Sequence, residues 1–102
     1  MTGLEARLAE LAAARRTAGY GNMAQALGLT GPGTIARLTG ALESLMDEDA
    51  ARGLPFRAAL VTARGSTLPA RGFFDKAAAL GFDISDPEAL VADHRRRLFE
   101  TA

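Results

Sequence analysis

The sequence offers few side chains of the kinds that carry covalent or metal chemistry. It contains no cysteine and a single histidine, His94, so thiol nucleophiles, disulfides and cysteine-ligated metals are excluded. No second ligand stands at helical spacing from His94, and we expect no metal site. Ser44, Ser66 and Ser85 have no base placed to activate them. The chain is therefore predicted not to be an enzyme and to use no cofactor.

Arginine is the residue type whose positions could support binding. The net charge is zero, which argues against a protein that mainly binds nucleic acid nonspecifically, since that affinity comes from phosphate neutralisation. Charge is nevertheless uneven, because residues 41–51 carry four acids and no base, whereas residues 52–72 carry four arginines and no acid. These arginines are Arg52, Arg57, Arg64 and Arg71. They could contact phosphates, but their adjacency to the acids favours mutual neutralisation.

Length and composition describe an ordinary small domain. A chain of 102 residues, of which 48% are hydrophobic and 24% charged, suits one globular core. No apolar run approaches the roughly 20 residues that a bilayer crossing needs. The N-terminus, MTGLEARLAELAAARR, places acids before arginines, the reverse of a secretory signal. We predict a single cytoplasmic domain over residues 1–102, with no membrane segment.

Apolar residues at helical spacing predict three helices in the first half of the chain. They cover residues 3–18, 21–27 and 32–51. Gly28 suits the left-handed position that ends a helix, and Pro32 suits a first helical turn. Two helices joined by a tight turn are thus predicted before residue 52.

The stretch PFRAALVTAR, residues 55–64, has apolar residues on both faces of an extended chain. A length of about eight residues favours a buried strand over a helix. Turn residues at 64–67 and a short extended arm at 68–70 then predict a two-stranded wing.

Two further helices are expected beyond the wing. One covers about residues 73–80 and ends at Gly81, and the last begins at Ser85 or Asp86 and places His94 on its inner face. Helix, tight turn, helix and two-stranded arm is the order of a winged helix-turn-helix. We therefore predict a mostly α fold with a small β arm, a winged helix-turn-helix-like domain with an added C-terminal helix.

The second helix of the predicted pair would be the one that reads DNA. Its first turn offers Thr34 as the only polar side chain, and its first charge is Arg37. Base readout normally uses Arg, Lys, Asn or Gln. A helix with so few of these side chains would read few bases.

Four short motifs resemble a known family over about residues 20–65. They are Y-G-x-x-A-x-x-x-G-L from Tyr20, A-R-x-x-G-x-L from Ala36, L-P at Leu54 and V-x-A-x-G from Val61. Together they are similar to the DNA-binding domain of alkylguanine-DNA alkyltransferases and alkyltransferase-like proteins. The resemblance implies a winged helix that binds the minor groove. It also implies that Tyr20 helps to rotate a nucleotide and that Arg37 fills the gap.

The chain departs from that family where the alkyl transfer takes place. Pro55 is followed by Phe56-Arg57-Ala58 rather than Cys-His-Arg, so transfer of an alkyl group to cysteine is impossible. The turn between the two helices is also longer by residues 31–33. The motifs P-F-x-A-A-L-V and P-x-x-G-F-F, from Pro55 and Pro69, look like those of small bacterial proteins of unknown function.

Two functions follow from these observations. The first is weak or partner-assisted DNA binding through Tyr20, Thr34, Arg37, Arg64 and Arg71. The alternative is a protein-interaction or homodimerisation domain on a degenerate helix-turn-helix, favoured by the neutral charge, the apolar strand and the pair at residues 73–74, both phenylalanine. In that alternative, Tyr20 packs one helix on another and Arg37 is a solvated side chain.

Overall fold

The computed structural model describes residues 1–102 and is mostly helical. In chain order the elements are α1 (Leu4–Ala13), β1 (Ala18–Gly19), α2 (Tyr20–Ala26), α3 (Thr34–Ala51), β2 (Val61–Thr62), α4 (Arg71–Ala79) and α5 (Pro87–Thr101). A 3₁₀ turn, Arg57–Leu60, leads into β2. The prediction of a mostly α fold with a small β component is confirmed, and the C-terminal helix is present.

Helix α1 ends earlier than the sequence pattern predicted. Instead of continuing to residue 18, it stops at Ala13, and Arg15 adopts a left-handed conformation with φ 55°. The Arg16 N–H donates to the Leu11 carbonyl at 2.9 Å and the Arg15 N–H donates to Ala12 at 3.1 Å. These two bonds form a Schellman motif, which satisfies the last helical carbonyls. The chain is thereby turned toward β1.

The predicted wing does not form as a hairpin. The strand β2 pairs in parallel with β1, with Ala18 opposite Val61 and Gly19 opposite Thr62. One backbone hydrogen bond, from the Ala63 N–H to the Leu68 carbonyl at 2.8 Å, replaces the expected second strand. The prediction of a two-stranded arm over residues 56–70 is therefore wrong.

The predicted buried strand is mostly a 3₁₀ turn. Arg57–Leu60 packs between α1, α3 and α5, and Ala58, Ala59 and Leu60 are buried. Apolar residues on both faces correctly indicated burial from all sides. Helices surround this segment, so no neighbouring strand is available to extend it beyond Val61–Thr62.

Aromatic rings form the centre of the core. Phe56 is completely buried and lies edge-on to Phe73, with ring centroids 5.9 Å apart. Phe74 is half-buried and packs against the same core. The pair Phe73 and Phe74 therefore provides no exposed apolar patch, contrary to its predicted role in protein interaction.

The two C-terminal helices begin and end close to the predicted residues. Gly81 follows α4 with φ 92°, in the left-handed region that glycine tolerates best. The Asp86 side chain accepts from the Ala89 N–H at 3.1 Å, so Asp86 rather than Ser85 is the N-cap of α5. The longest helix is α3. None of the helices combines the length and the hydropathy that a membrane span requires.

Candidate functional site

The turn between α2 and α3 delays the start of α3. Gly28 ends α2 in a left-handed conformation, and Gly33 has φ 73°, so α3 begins at Thr34 and not at Pro32. The Thr34 hydroxyl donates to the Gly31 carbonyl at 2.6 Å, and Gly33 has no side chain with which to cap the helix. The start of α3 is therefore stabilised by the turn at residues 31–34 and not by an N-cap side chain. It is open to solvent.

Arg37 is held against this turn and is not paired with an acid. Its Nη2 atom donates to the Thr30 carbonyl at 2.8 Å and lies 3.4 Å from the Thr34 hydroxyl oxygen. No carboxylate lies within ion-pair distance of it. The guanidinium is thus oriented while its charge stays uncompensated.

Tyr20 connects α2 to the start of α4. Its hydroxyl oxygen accepts from the Ala70 N–H at 3.1 Å, and the ring is half-buried. Burial raises the pKa of the Tyr20 phenol above its usual 10.0, so the group stays neutral near pH 7. A tyrosine whose hydroxyl simply reaches water would lack this bond.

An open cleft of about 980 Å³ lies beside Tyr20. Asn22 and Ile35 line it from α2 and α3, and Thr62 and Arg64 line it from β2 and the following loop. Arg64 is the only charged residue in the lining, and no acid contributes to it. The cleft therefore combines an aromatic ring, an apolar wall and one cation.

The predicted binding residues are only partly brought together. Tyr20 and Arg64 line the cleft, Thr34 directly precedes the lining residue Ile35, and Arg71 directly follows the lining residue Ala70. Arg37 lies two residues beyond Ile35 on α3, so the two side chains do not share a face of the helix, and Arg37 does not line the cleft. The helix-turn-helix order alone could not have predicted the cleft, because it depends on the parallel pairing of β1 and β2.

The acidic and basic segments meet at one point. Arg57 contacts the buried carboxylate of Asp49, with Nη2 3.0 Å from Oδ1, and also reaches Glu5 at 2.7 Å. Arg52 and Arg64 have no carboxylate within ion-pair distance. The prediction of mutual neutralisation is right for Arg57 and wrong for the other arginines of this segment.

The other ion pairs of the acidic and basic segments each include a partner from outside those two segments. Arg71 lies 3.8 Å from Asp75 one turn along α4, and its side chain is 93% exposed. Asp47 is paired instead with Lys76, at 2.8 Å. A fully hydrated pair such as Arg71–Asp75 holds its partners weakly, so Arg71 remains available to a ligand.

A buried polar cluster, which sequence reasoning missed, lies at the other end of α3. Asp49 is 1% exposed and accepts from the Arg57 backbone N–H at 3.0 Å and from the Arg57 Nε at 3.1 Å. The signal in the sequence was an acid on the apolar stripe that includes Leu42 and Leu45. Such an acid needs a buried partner, and only the tertiary structure identifies it as Arg57.

His94 belongs to the packing of the core. Its Nδ1 accepts from the Phe56 N–H at 2.8 Å, so the neutral ring carries its proton on Nε2. The imidazole stacks on the Phe56 ring with centroids 4.7 Å apart, and burial lowers the pKa of His94 below 6.5. No group of three potential ligands that could hold a metal occurs in the structure.

Comparison with known proteins identifies no relative. No protein-family model, no curated protein and no solved structure matches the chain. The function must therefore be inferred from the cleft and from the charges around it.

Proposed function

We propose that this chain is a non-enzymatic domain with a helix-turn-helix-like pair, α2 and α3, that binds DNA weakly or with the help of a partner. The start of α3 and the cleft beside Tyr20 would face the DNA. The observation that carries the proposal is that no acid lines the cleft, where Arg64 is the only charged residue. Arg37, at the start of α3, contacts only a backbone carbonyl and a hydroxyl.

A small number of phosphate contacts explains how a neutral protein could bind DNA. Arg37, Arg64 and Arg71 would each neutralise about one phosphate, so the logarithm of the affinity should fall with the logarithm of salt with a slope of about −2 to −3. Such a slope is typical of weak binding that disappears near physiological salt. A partner or a second site would then be needed for stable attachment.

The apolar wall and the aromatic ring support a role beyond phosphate contact. Ile35 is 47% exposed at the start of the helix that the family resemblance assigns to the DNA. Minor-groove binding with an inserted side chain does not require a helix rich in base-reading groups. The sparse polar residues of α3 are consistent with that mode and unsuited to major-groove readout.

The experiment is fluorescence anisotropy of labelled duplex and single-stranded DNA at low salt. Arg37→Ala and Arg64→Ala should each weaken binding several-fold. Arg52→Ala is the matched control, because Arg52 is also exposed and unpaired but follows the far end of α3, ~22 Å from Arg37 at 1.5 Å per residue. Absence of binding to either DNA by the wild-type protein would refute the proposal.

Homodimerisation or another protein interaction is the second candidate. An apolar groove of about 350 Å³ between α1 and α5 includes Leu8, Ala9 and Leu98 in its lining, and Leu54 is 43% exposed elsewhere. A second copy of the chain could cover such a groove. Sedimentation should then show a dimer that Ala9→Glu dissociates, whereas a monomer at all concentrations would exclude the homodimer.

A further inference from the structure

One wall of the cleft is a loop that is shaped by its own hydrogen bonds. Residues 63–68, here called the rim loop, include Arg64 and four other lining residues of the cleft before Leu68. The Ala63 N–H donates to the Leu68 carbonyl at 2.8 Å and the Ser66 N–H donates to the Ala63 carbonyl at 3.0 Å. The Ser66 hydroxyl accepts from the Leu68 N–H at 3.0 Å. These bonds define the loop's shape but do not connect it to a helix.

The connection to a helix is made by Arg95 of α5. Its Nε donates to the Ala59 carbonyl at 2.8 Å, and its Nη2 donates to the Thr67 carbonyl at 2.8 Å. Ala59 lies in the 3₁₀ turn before β2 and is completely buried, whereas Thr67 lies near the end of the rim loop. One guanidinium therefore joins the 3₁₀ turn before β2 to the end of the rim loop.

Arg95 is unusual among the arginines of the C-terminal helix. Arg96 lies on the solvated face of α5, paired with Asp93 at 2.7 Å. Arg95 instead is half-buried and has no carboxylate partner, and burial lowers the pKa of its guanidinium. A cation that gives up hydration without an ion pair must be compensated by the two carbonyl dipoles.

The chemistry of arginine explains why this residue type suits the position. Its planar group carries donors in a rigid fork and stays charged, so two separate carbonyls can be held at a fixed distance. A lysine ammonium is a compact point charge and would favour one carbonyl over the other. Loss of the side chain would leave the buried Ala59 carbonyl without this donor, which is costly.

We infer that Arg95 is a positioning residue for the DNA-binding cleft, holding the rim loop against α5 and thereby placing Arg64. Its effect on binding rests on the proposed function, whereas its effect on the loop does not. Arg95 itself is not among the residues that line the cleft. It acts through Thr67 and the chain that connects Thr67 to Arg64.

Amide hydrogen exchange tests the effect on the loop without DNA. In Arg95→Ala we expect the amides of Ala63 and Leu68 to exchange about tenfold faster or more, because a hydrogen bond from a charged group is lost. The matched control is Arg96→Ala, which removes the same charge from the same helix at a side chain that is 58% exposed. Equal exchange of the loop amides in the two variants would overturn the inference.

A second variant covers the case in which Arg95→Ala unfolds the protein. Arg95→Lys keeps the charge and the aliphatic stem but cannot hold both carbonyls in the same fork. Faster exchange confined to the rim loop in Arg95→Lys supports the inference. Wild-type exchange of the loop in that variant contradicts it.

A double-mutant cycle tests the consequence for binding. In the otherwise wild-type protein, Arg95→Ala should weaken duplex binding by about the same factor as Arg64→Ala. In a protein that already carries Arg64→Ala, the same substitution should change the affinity by less than about twofold. Full additivity of the two substitutions would contradict the link from Arg95 to Arg64. If the wild-type protein binds no DNA while the exchange result holds, the proposed function fails and the positioning of the loop stands.

Discussion

The two ends of α3 invert the usual distribution of polar and apolar residues. At its start Ile35 is 47% exposed, whereas near its end Asp49 is 1% exposed. The exposed isoleucine lines the open cleft, and the buried aspartate is bonded to Arg57 on both its backbone and side chain. A buried, fully bonded acid marks a structural contact, whereas the isoleucine adds apolar surface to the cleft that we propose binds DNA.

The two ends differ in how their charges are compensated. Near the end of α3 the buried Asp49 is paired with Arg57 and stabilises the fold, whereas near its start Arg37 has no carboxylate partner and remains available to a ligand. Substitutions at the end of α3 should therefore change stability. Substitutions at its start should change binding alone.

The largest effect is expected from Asp49→Ala. It removes the buried acceptor of the Arg57 backbone N–H and Nε and leaves Glu5 as the only carboxylate on that guanidinium, so we expect a loss of about 2–4 kcal/mol in the free energy of unfolding. Asp47→Ala is the control, because Asp47 lies on the same helix with its side chain 55% exposed and pairs with Lys76, and the substitution should cost below about 1 kcal/mol. Urea denaturation measures both, and similar values for the two variants would show that the buried carboxylate contributes no more to stability than the exposed one.

The buried end should also respond to pH through His94. Its pKa is lowered below 6.5 in the folded protein by burial, so the unfolded chain takes up a proton first as pH falls. The free energy of unfolding should therefore decrease as pH drops below 6.5 and stop decreasing below the folded pKa. His94→Gln, which keeps an acceptor for the Phe56 N–H, should show no slope in that window. An unchanged slope would assign the effect to another group.

The end of α1 differs from the end of α3 in backbone strain, although Arg15 and Gly53 occupy equivalent positions. Both follow a helix in the left-handed region, with φ 55° and 67°, but only glycine tolerates it without strain. Arg15→Gly should raise the free energy of unfolding by about 1 kcal/mol, and Arg15→Ala, which keeps the Cβ atom, should not. Thermal unfolding of the wild type and of both variants measures these changes in stability. A gain in both variants would indicate a cause other than backbone strain.

The smallest effect on stability is expected from Arg37→Ala and Arg64→Ala, each within about 0.5 kcal/mol of the wild type. Each should nevertheless lower the magnitude of the salt slope of DNA binding by about one, as the loss of one phosphate contact requires. Arg52→Ala should leave the slope unchanged. If all three variants reduce it equally, the binding surface is not confined to the start of α3.

Much of the helical content could be predicted because the signals are local. Apolar spacing and the glycines at 28 and 81 place α2 and α4 close to their observed positions, and the Asp86-Pro87 pair marks the start of α5. The wing was predicted wrongly for the same reason. Turn residues and extended stretches describe a hairpin only if the two stretches pair, and here β2 pairs with β1 instead.

The candidate site was predictable only in part. Tyr20 and Arg37 came from a motif resemblance, and the structure gives both defined hydrogen bonds. The roles of Asp49 and Arg95 had no local signal beyond a charge on a partly apolar helix. Their partners, Arg57 and the carbonyls of Ala59 and Thr67, come from other parts of the chain.

Periodicity and glycine positions act over a few residues, so they were enough to predict most of the helices and the burial of most of residues 55–64. Composition likewise limited the chemistry available, with no cysteine, one histidine and balanced charge. Only the fold shows which arginines keep a free charge and where the cleft lies. Burial and pairing depend on residues that are distant in the chain, and 38 positions separate even the two partners of the Phe56–His94 hydrogen bond.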